Sequence, residues 1–166
     1  SRVGELVRER RKDFLHKGAW FKFKGYSYAQ KSKMIHDKTN PKRKADIEKY
    51  KFDLKFASHS VRLILEIEDI LVNHDLDLRK NKALLKSIRA GEWSQQDVED
   101  FVSRKEKELE TAYLNSKLRD KPDKQAIKQL LLDCIEHCYG KISEAAVVME
   151  TSSENLLNQI RKIVNV

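Results

Sequence analysis

Apolar residues recur at helical spacing along most of the chain, and the clearest pattern covers residues 52–73. Apolar residues occupy most of the circumference of a helix there, and one narrow set of charged or titratable residues interrupts them, which we call the polar stripe: Lys55, His59, Arg62, Glu66 and Asp69. At about 100° per residue, these five side chains fall within an arc of roughly 80°. Charged groups are costly to bury unless they are paired or hydrated. The pattern therefore predicts a core helix whose polar stripe either faces water or lines a site.

Similar spacing predicts further helices on both sides of this one. They cover residues 3–15, 19–36 with a start near Trp20 or Tyr26, a short stretch through Ile47 and Tyr50, 80–89, 95–115, 122–140 and two stretches within 142–166. Ser94 followed by Asp97 predicts a capping box at the start of the helix 95–115. No alternating strand pattern and no repeat is evident. The sequence predicts an all-α orthogonal bundle of about seven to nine helices, with residues 1–140 as the domain and 141–166 as a helical tail.

Composition adds a preference for polyanions. Of the 166 residues 36% are charged, and the net charge is +8. A surplus of Lys and Arg attracts nucleic acid or nucleotide phosphates, although it says little about specificity. No apolar run approaches the roughly 20 residues that cross a bilayer, and no secretory signal pattern is present. We therefore expect a cytoplasmic protein without a membrane partner.

Two short patterns could indicate metal binding, and for both we favour another interpretation. Cys134 and Cys138 lie one helical turn apart with His137 between them, but adjacent helical positions do not converge on one ion, so buried free thiols are favoured. Asp75 and Asp77 could share Mg²⁺ from an extended segment. They stand between helices without a phosphate-binding turn nearby, so a solvated loop is favoured over a catalytic pair.

The stretch 20–33 mixes aromatic and basic residues, and two interpretations stay open. Stacking rings beside cations are typical of proteins that bind single-stranded nucleic acid. Alternatively, Trp20, Phe21, Phe23 and Tyr26 are core residues and the lysines reach outward. Trp93 is expected to anchor a turn by packing.

The polar stripe also has two interpretations. Lys55, His59 and Arg62 are spaced i, i+4, i+7, so their side chains stack along one face and could hold successive phosphates. Glu66 and Asp69 continue the line and could pair with Arg62. The alternative is a solvated stripe of salt bridges, which periodicity alone favours slightly.

Several motifs together resemble a known family. They are Phe14-Leu15, Gly25-Tyr26, Gln30, Lys55-x-x-x-His59-x-x-Arg62-Leu63, Ile88-Arg89-x-Gly91-Glu92-Trp93-Ser94 and Lys121-Pro122-Asp123. In this order they resemble the C-terminal helical half of the predicted nucleotidyltransferases of the DNA polymerase β superfamily, found in bacteria and large phages. The resemblance covers roughly residues 2–140.

The resemblance implies that the catalytic core, with a Gly-Ser turn and an Asp-x-Asp metal pair, lies outside this sequence. We therefore expect no catalytic residue, metal ligand or cofactor site in this chain. Mg²⁺ is expected only together with that core. The chain is expected to associate with an N-terminal catalytic domain that contains it. The matched positions imply substrate-binding residues that face the active-site cleft: Lys55, His59, Arg62, Arg89 and Glu92, with Tyr26 and Gln30 as secondary candidates. For Arg89 and Glu92 a structural role in the turn is an equal alternative.

The expected function is that of a helical substrate-binding domain of a nucleotidyltransferase-like protein, which contacts the phosphates of a nucleotide or RNA. The alternative is a stand-alone basic helical module that binds nucleic acid or a protein partner through Arg10, Arg11, Lys42, Arg43 and Lys44. The tail carries an apolar face that either forms a homodimer or, as we favour, docks on its own bundle. That face consists of Leu156, Leu157, Ile160 and Ile163.

Overall fold

A computed structural model describes residues 1–37 and 41–140, together with residues 154, 155, 157, 158, 160 and 161 of the tail. Within residues 1–37 and 41–140 there are seven α-helices, three shorter helical turns and no strand, which confirms the all-α prediction. No helix of the described part is long and apolar enough to cross a membrane. The helices are α1 (Arg2–Glu9), α2 (Ala19–His36), α3 (Lys44–Tyr50), α4 (Leu54–Glu68), α5 (Lys82–Arg89), α6 (Gln95–Asn115) and α7 (Lys124–Tyr139).

The chain forms two compact units. The larger unit is continuous and spans residues 15–122, whereas the smaller unit combines residues 1–14 with residues 123–166. The predicted start of the tail at residue 141 lies outside the described residues, so that boundary stays a prediction. In the tail, Leu157 and Ile160 are 52% and 48% exposed. Leu156 and Ile163 lie outside the described residues, and the dimer and docking hypotheses are both left untested.

In the smaller unit, Arg10 joins α1 to α7. Its guanidinium donates to the side chains of Asp13 at 3.0 Å and Asp133 at 3.2 Å, and to the backbone carbonyl of Ala126 at 2.7 Å. Because a guanidinium presents several donors in a fixed plane, one arginine can hold three acceptors at once. Arg10 is therefore part of the packing of this unit.

The core of the larger unit is built around α4, as the apolar pattern predicts. Val61, Ile64 and Ile67 on this helix have no solvent exposure. Helices α2, α5 and α6 pack against α4, and each buried aliphatic side chain contributes about 1.5–3 kcal/mol to folding. The neighbouring helices supply Trp20, Met34, Ile88, Val98, Val102 and Leu109 to this core.

A buried carboxylate fixes the start of α4. One side-chain oxygen of Asp53 accepts the backbone N–H groups of Lys55 at 2.9 Å and Phe56 at 3.2 Å, which makes Asp53 the N-cap. The other oxygen lies 2.9 Å from the Nη1 atom of Arg43, as an ion pair outside hydrogen-bond alignment. The Arg43 guanidinium also lies over the Phe56 ring, 4.5 Å from its centre. The buried charge of Asp53 is thereby neutralised and the first turn of α4 is held in place.

The opposite end of α4 passes into a π-helical turn, Asp69–Asn73. Asp69 is only 6% exposed, and its carboxylate accepts the Asn73 amide at 2.6 Å, the Lys80 amine at 2.9 Å and the Asp77 backbone N–H at 2.8 Å. Burial raises the pKa of this carboxyl, but the bonds from Asp77, Lys80 and Asn73 outweigh burial and hold its pKa below 3.8. Asp69 therefore ties the following loop to the core and lies away from solvent.

Helices α2 and α4 are joined by two serines that are completely buried. The Ser27 hydroxyl donates to the Ser60 carbonyl at 3.1 Å, the Ser60 hydroxyl donates to the Ser27 carbonyl at 3.1 Å, and the two hydroxyl oxygens lie 2.9 Å apart. Small side chains let the helix backbones come close, and each buried hydroxyl finds a partner. The contact fixes the position of α2 along α4.

The predicted start of the helix 95–115 is confirmed. Ser94 and Asp97 form a capping box at the start of α6, which begins at Gln95 as expected. Gly91 in the turn before it has φ +80°, and a side chain there would collide with the Tyr50 ring. Both the backbone conformation and the close approach therefore require glycine.

We expect Asp69→Asn to lower the free energy of unfolding by about 2 kcal/mol, because an amide cannot accept all three donors. The folded-state pKa of Asp69 is lowered, so its contribution is present above pH 3.8 and is lost as the pH falls below that value. Urea unfolding at neutral pH followed by circular dichroism measures the loss. Asp77→Asn is the control, since it keeps the backbone N–H. Equal unfolding midpoints for the two variants would contradict the anchoring role.

Candidate functional site

Three cations and a histidine meet in a cleft of about 250 Å³ between α4 and α5. We call it the cationic cleft, and it is lined by Lys55, Ser58, His59, Arg62 and Arg89. Four of the seven predicted site residues are thus brought together. Ser58 was not predicted, although Lys55, Ser58, His59 and Arg62 follow the spacing i, i+3, i+4, i+7 of one helix face, which could have indicated it. The Ser58 hydroxyl donates to the Leu85 carbonyl of α5 at 3.4 Å.

Arg62 organises the charges in the cationic cleft. Its Nη2 atom lies 3.1 Å from Nε2 of His59, and its Nε atom lies 3.4 Å from the carboxylate of Glu66. A guanidinium can only donate, so Nε2 of His59 has to accept. This contact therefore requires a neutral imidazole whose proton is on Nδ1.

The surroundings of His59 favour the same neutral form. Burial lowers its pKa below 6.5, and the positive charges of Arg62 and Lys55 lower it further. Burial raises the pKa of Glu66, an effect that Arg62 partly offsets. The cationic cleft therefore carries a concentration of positive charge, which disfavours protonation of His59.

One aromatic residue of α2 reaches this site. The Tyr26 ring meets the His59 ring edge to face, with 5.4 Å between the ring centres and an angle of 80° between the planes. Gln30 lies one turn further along α2, is only 3% exposed and does not line the cleft. Glu92 lies elsewhere, in a cleft of about 590 Å³ with Trp93, Asp97, Asp100, Phe101 and Arg104.

The polar stripe is divided between two environments. Lys55, His59 and Arg62 line the cationic cleft, Glu66 is half-buried beside Arg62, and Asp69 is buried against the loop after α4. The two predicted interpretations, a site and a set of salt bridges, thus each describe one part of the stripe. Asp69 pairs with Lys80 instead of Arg62, because the π-helical turn directs it toward that loop.

The aromatic and basic stretch 20–33 is also divided, in this case between the core and the surface. Trp20 is buried in the core at 2% exposure, and Phe23 is half-buried. Phe21 and Tyr26 are 61% and 51% exposed, so the interpretation that all four aromatic residues belong to the core is wrong for these two. Trp93 anchors its turn as predicted, since its indole N–H donates to the Ser87 hydroxyl at 3.1 Å and its ring meets that of Phe101.

Neither of the two short patterns that could indicate metal binding, Asp75/Asp77 and Cys134/Cys138, forms a metal site in the described residues. The carboxylate of Asp77 accepts the backbone N–H of Arg79 at 2.8 Å, and that of Asp75 accepts the N–H of Leu76 at 2.9 Å, as in a structured loop. Within residues 1–37 and 41–140, no three His, Cys, Asp or Glu side chains could together hold an ion. Cys134 and Cys138 are free thiols, but the expectation that they are buried is wrong, because Cys134 is half-buried and Cys138 is exposed at the surface of α7.

The cations of the alternative basic surface are partly engaged within the protein. Arg10 holds Asp13 and Asp133, and Arg43 holds Asp53. Neutralising either arginine would therefore loosen the packing and would not report on a binding surface alone. By contrast, Lys55 and Arg89 are exposed in the cationic cleft and have no ion pair within the described residues.

We expect the pKa of His59 to lie below 6.5 in a buffer without multivalent anions, and Arg62→Gln to raise it, because one of the two repelling cations is removed. The lowered pKa also means that His59 destabilises the fold as the pH drops below 6.5, since the unfolded chain binds more protons. NMR titration of the imidazole ring measures the pKa. Lys107→Gln, an exposed position on α6, should leave it unchanged. A wild-type value at or above 6.5 would contradict the assigned electrostatics.

Comparison of the chain with protein-family models, with curated proteins and with solved structures gives no match. The nucleotidyltransferase resemblance therefore remains a prediction that depends on the motifs of this sequence.

Proposed function

We propose that the larger unit binds the phosphate groups of a nucleotide or RNA in the cationic cleft, as the helical substrate-binding domain of a nucleotidyltransferase-like protein. The supporting observation is the meeting of Lys55, Arg62 and Arg89 around one cleft whose lining contains no carboxylate. Arginine matches the geometry of phosphate oxygens with parallel N–H donors, and lysine adds a compact charge. The Ser58 hydroxyl supplies a further polar group at the wall.

The state of His59 suggests how binding proceeds. Without an anion, His59 is neutral and accepts a hydrogen bond from Arg62. An incoming phosphate attracts the Arg62 guanidinium and offsets the positive charges that lower the pKa of His59. The imidazole then takes up a proton and turns from an acceptor into a second donor. Binding of the anion and of one proton are therefore coupled.

The transfer chemistry would come from a separate catalytic part, together with its Mg²⁺ ions, as the motif resemblance implies. The residues described here would hold the substrate in position by charge and hydrogen bonding. The alternative basic module is less well supported, because Arg10 and Arg43 stabilise the packing of the units to which they belong. RNA and a free nucleotide present the same phosphate chemistry to the cleft.

Arg62→Gln should weaken binding of pyrophosphate and of a short fluorescein-labelled oligouridylate by about tenfold, the size of one charge-assisted contact. It should also reduce the slope of log affinity against log salt by about 0.7 for the single strand, because one phosphate contact is lost. Calorimetry and fluorescence anisotropy at low salt measure the two affinities. Lys107→Gln removes the same charge outside the cleft and should change affinity little. Equal losses in both variants, or no binding to wild type, would refute the proposal.

Sulfate keeps its charge near neutrality, so it can test the coupling to His59. We expect sulfate to bind more tightly as the pH falls from about 7.5 to about 5.5, because protonated His59 becomes a donor. His59→Gln should bind with a much flatter pH dependence, and any remaining slope would report on Glu66. Calorimetry in buffers of different ionisation enthalpy counts the proton taken up. A slope that is identical in wild type and His59→Gln would contradict the mechanism.

A further inference from the structure

A second cleft, predominantly apolar and about 350 Å³ in volume, lies beside the cationic cleft. It is lined by Lys22, Phe23 and Tyr26 of α2 and by Leu63 of α4. We call it the apolar cleft. Tyr26 is 51% exposed, so an aromatic surface is available to a ligand there. None of the binding contacts proposed above uses this cleft.

The two clefts share a wall. Tyr26 lines the apolar cleft and His59 lines the cationic cleft, and their rings are in edge-to-face contact at 5.4 Å. Leu63 of the apolar cleft directly follows Arg62 of the cationic cleft on α4. A ligand with an anionic group in one cleft can therefore extend past this wall into the other.

The shared wall is held by the protein before any ligand arrives. Tyr26 directly precedes Ser27, and His59 directly precedes Ser60. The two serines are buried and bonded to each other across α2 and α4, with their hydroxyl oxygens 2.9 Å apart. A ligand that uses both clefts consequently does not have to order the helices, which lowers the cost of binding.

The chemistry of the two clefts together restricts the ligand. A bare phosphate would leave the exposed Tyr26 ring unused. A base-paired duplex keeps its bases stacked inside the helix, away from a protein aromatic ring. An unpaired nucleotide has a flat base on one side of the sugar and a phosphate on the other, and bases stack readily on aromatic side chains. Lys22 at the rim adds a cation to the same path.

We propose that the apolar cleft is a nucleobase subsite in which the base of an unpaired nucleotide packs against Tyr26, while its phosphate occupies the cationic cleft. This inference depends on the proposed function, because the phosphate contacts position the nucleotide. It narrows the ligand class to free nucleotides and single-stranded RNA or RNA ends. Sequence selectivity is not expected, since every base has a face that can stack.

The test compares AMP with ribose 5-phosphate, which carries the same kind of phosphate without a base. Calorimetry at low salt should give an affinity about tenfold higher for AMP, the size expected from one base–aromatic stack. Tyr26→Ala and Tyr26→Leu should lower the ratio of the AMP affinity to the ribose 5-phosphate affinity to about one, whereas Tyr26→Phe should keep this ratio near tenfold. Tyr28→Ala is the matched control, because Tyr28 is a 69% exposed tyrosine on the same helix. Circular dichroism verifies that each variant is folded.

The outcomes separate this inference from the proposed function. Equal wild-type affinities for AMP and ribose 5-phosphate, both weakened by Arg62→Gln, would keep the phosphate site and overturn the base subsite. Equal losses for both ligands in the Tyr26 variants would also overturn it, since Tyr26 would then act only as a support for His59. If neither AMP nor ribose 5-phosphate binds, both proposals are overturned. Only a loss specific to AMP supports the base subsite.

Discussion

The buried contact between Ser27 and Ser60 is the constraint on which the arrangement of the larger unit depends. Its reciprocal hydrogen bonds let α2 lie close to α4 without leaving a polar group unpaired. With this position fixed, Trp20 and Met34, near the two ends of α2, are both buried in the core around α4. The same contact places Tyr26 against His59, the residues that directly precede the two serines. Stability and the geometry of the candidate site therefore have a common origin.

The charges around α4 follow from the ways in which its two ends are anchored. At the start, Asp53 caps the helix and is neutralised by Arg43, so the first turn holds Lys55 at the surface. At the end, Asp69 turns inward and secures the loop after α4. The cations between them are left with few counter-charges, since Glu66 is the carboxylate paired with Arg62. Such a concentration of positive charge is unfavourable in the free protein and becomes favourable when an anion binds.

Helical periodicity accounts for much of what could be predicted from the sequence. It located α4 as the core helix and put Lys55, His59 and Arg62 on one face, because residues three and four apart share a face. It could not place Arg89, which reaches the cleft from α5, or exclude Gln30 and Glu92, because those positions depend on how separate helices pack. Helix α2 mixes apolar and polar residues around its circumference, so its buried face could not be chosen before the Ser27 contact was known. The tail beyond residue 140 lies largely outside the described residues.

One nucleotide is proposed to span the wall formed by Tyr26 and His59. Intermolecular nuclear Overhauser effects between AMP and isotope-labelled protein test this most directly. We expect contacts from the adenine protons to the Tyr26 ring and to the methyl groups of Leu63, together with shifted side-chain signals of Arg62 and Arg89. Adenine contacts to Trp93 and Phe101 in the other cleft, with the Arg62 and Tyr26 signals unchanged, would contradict it.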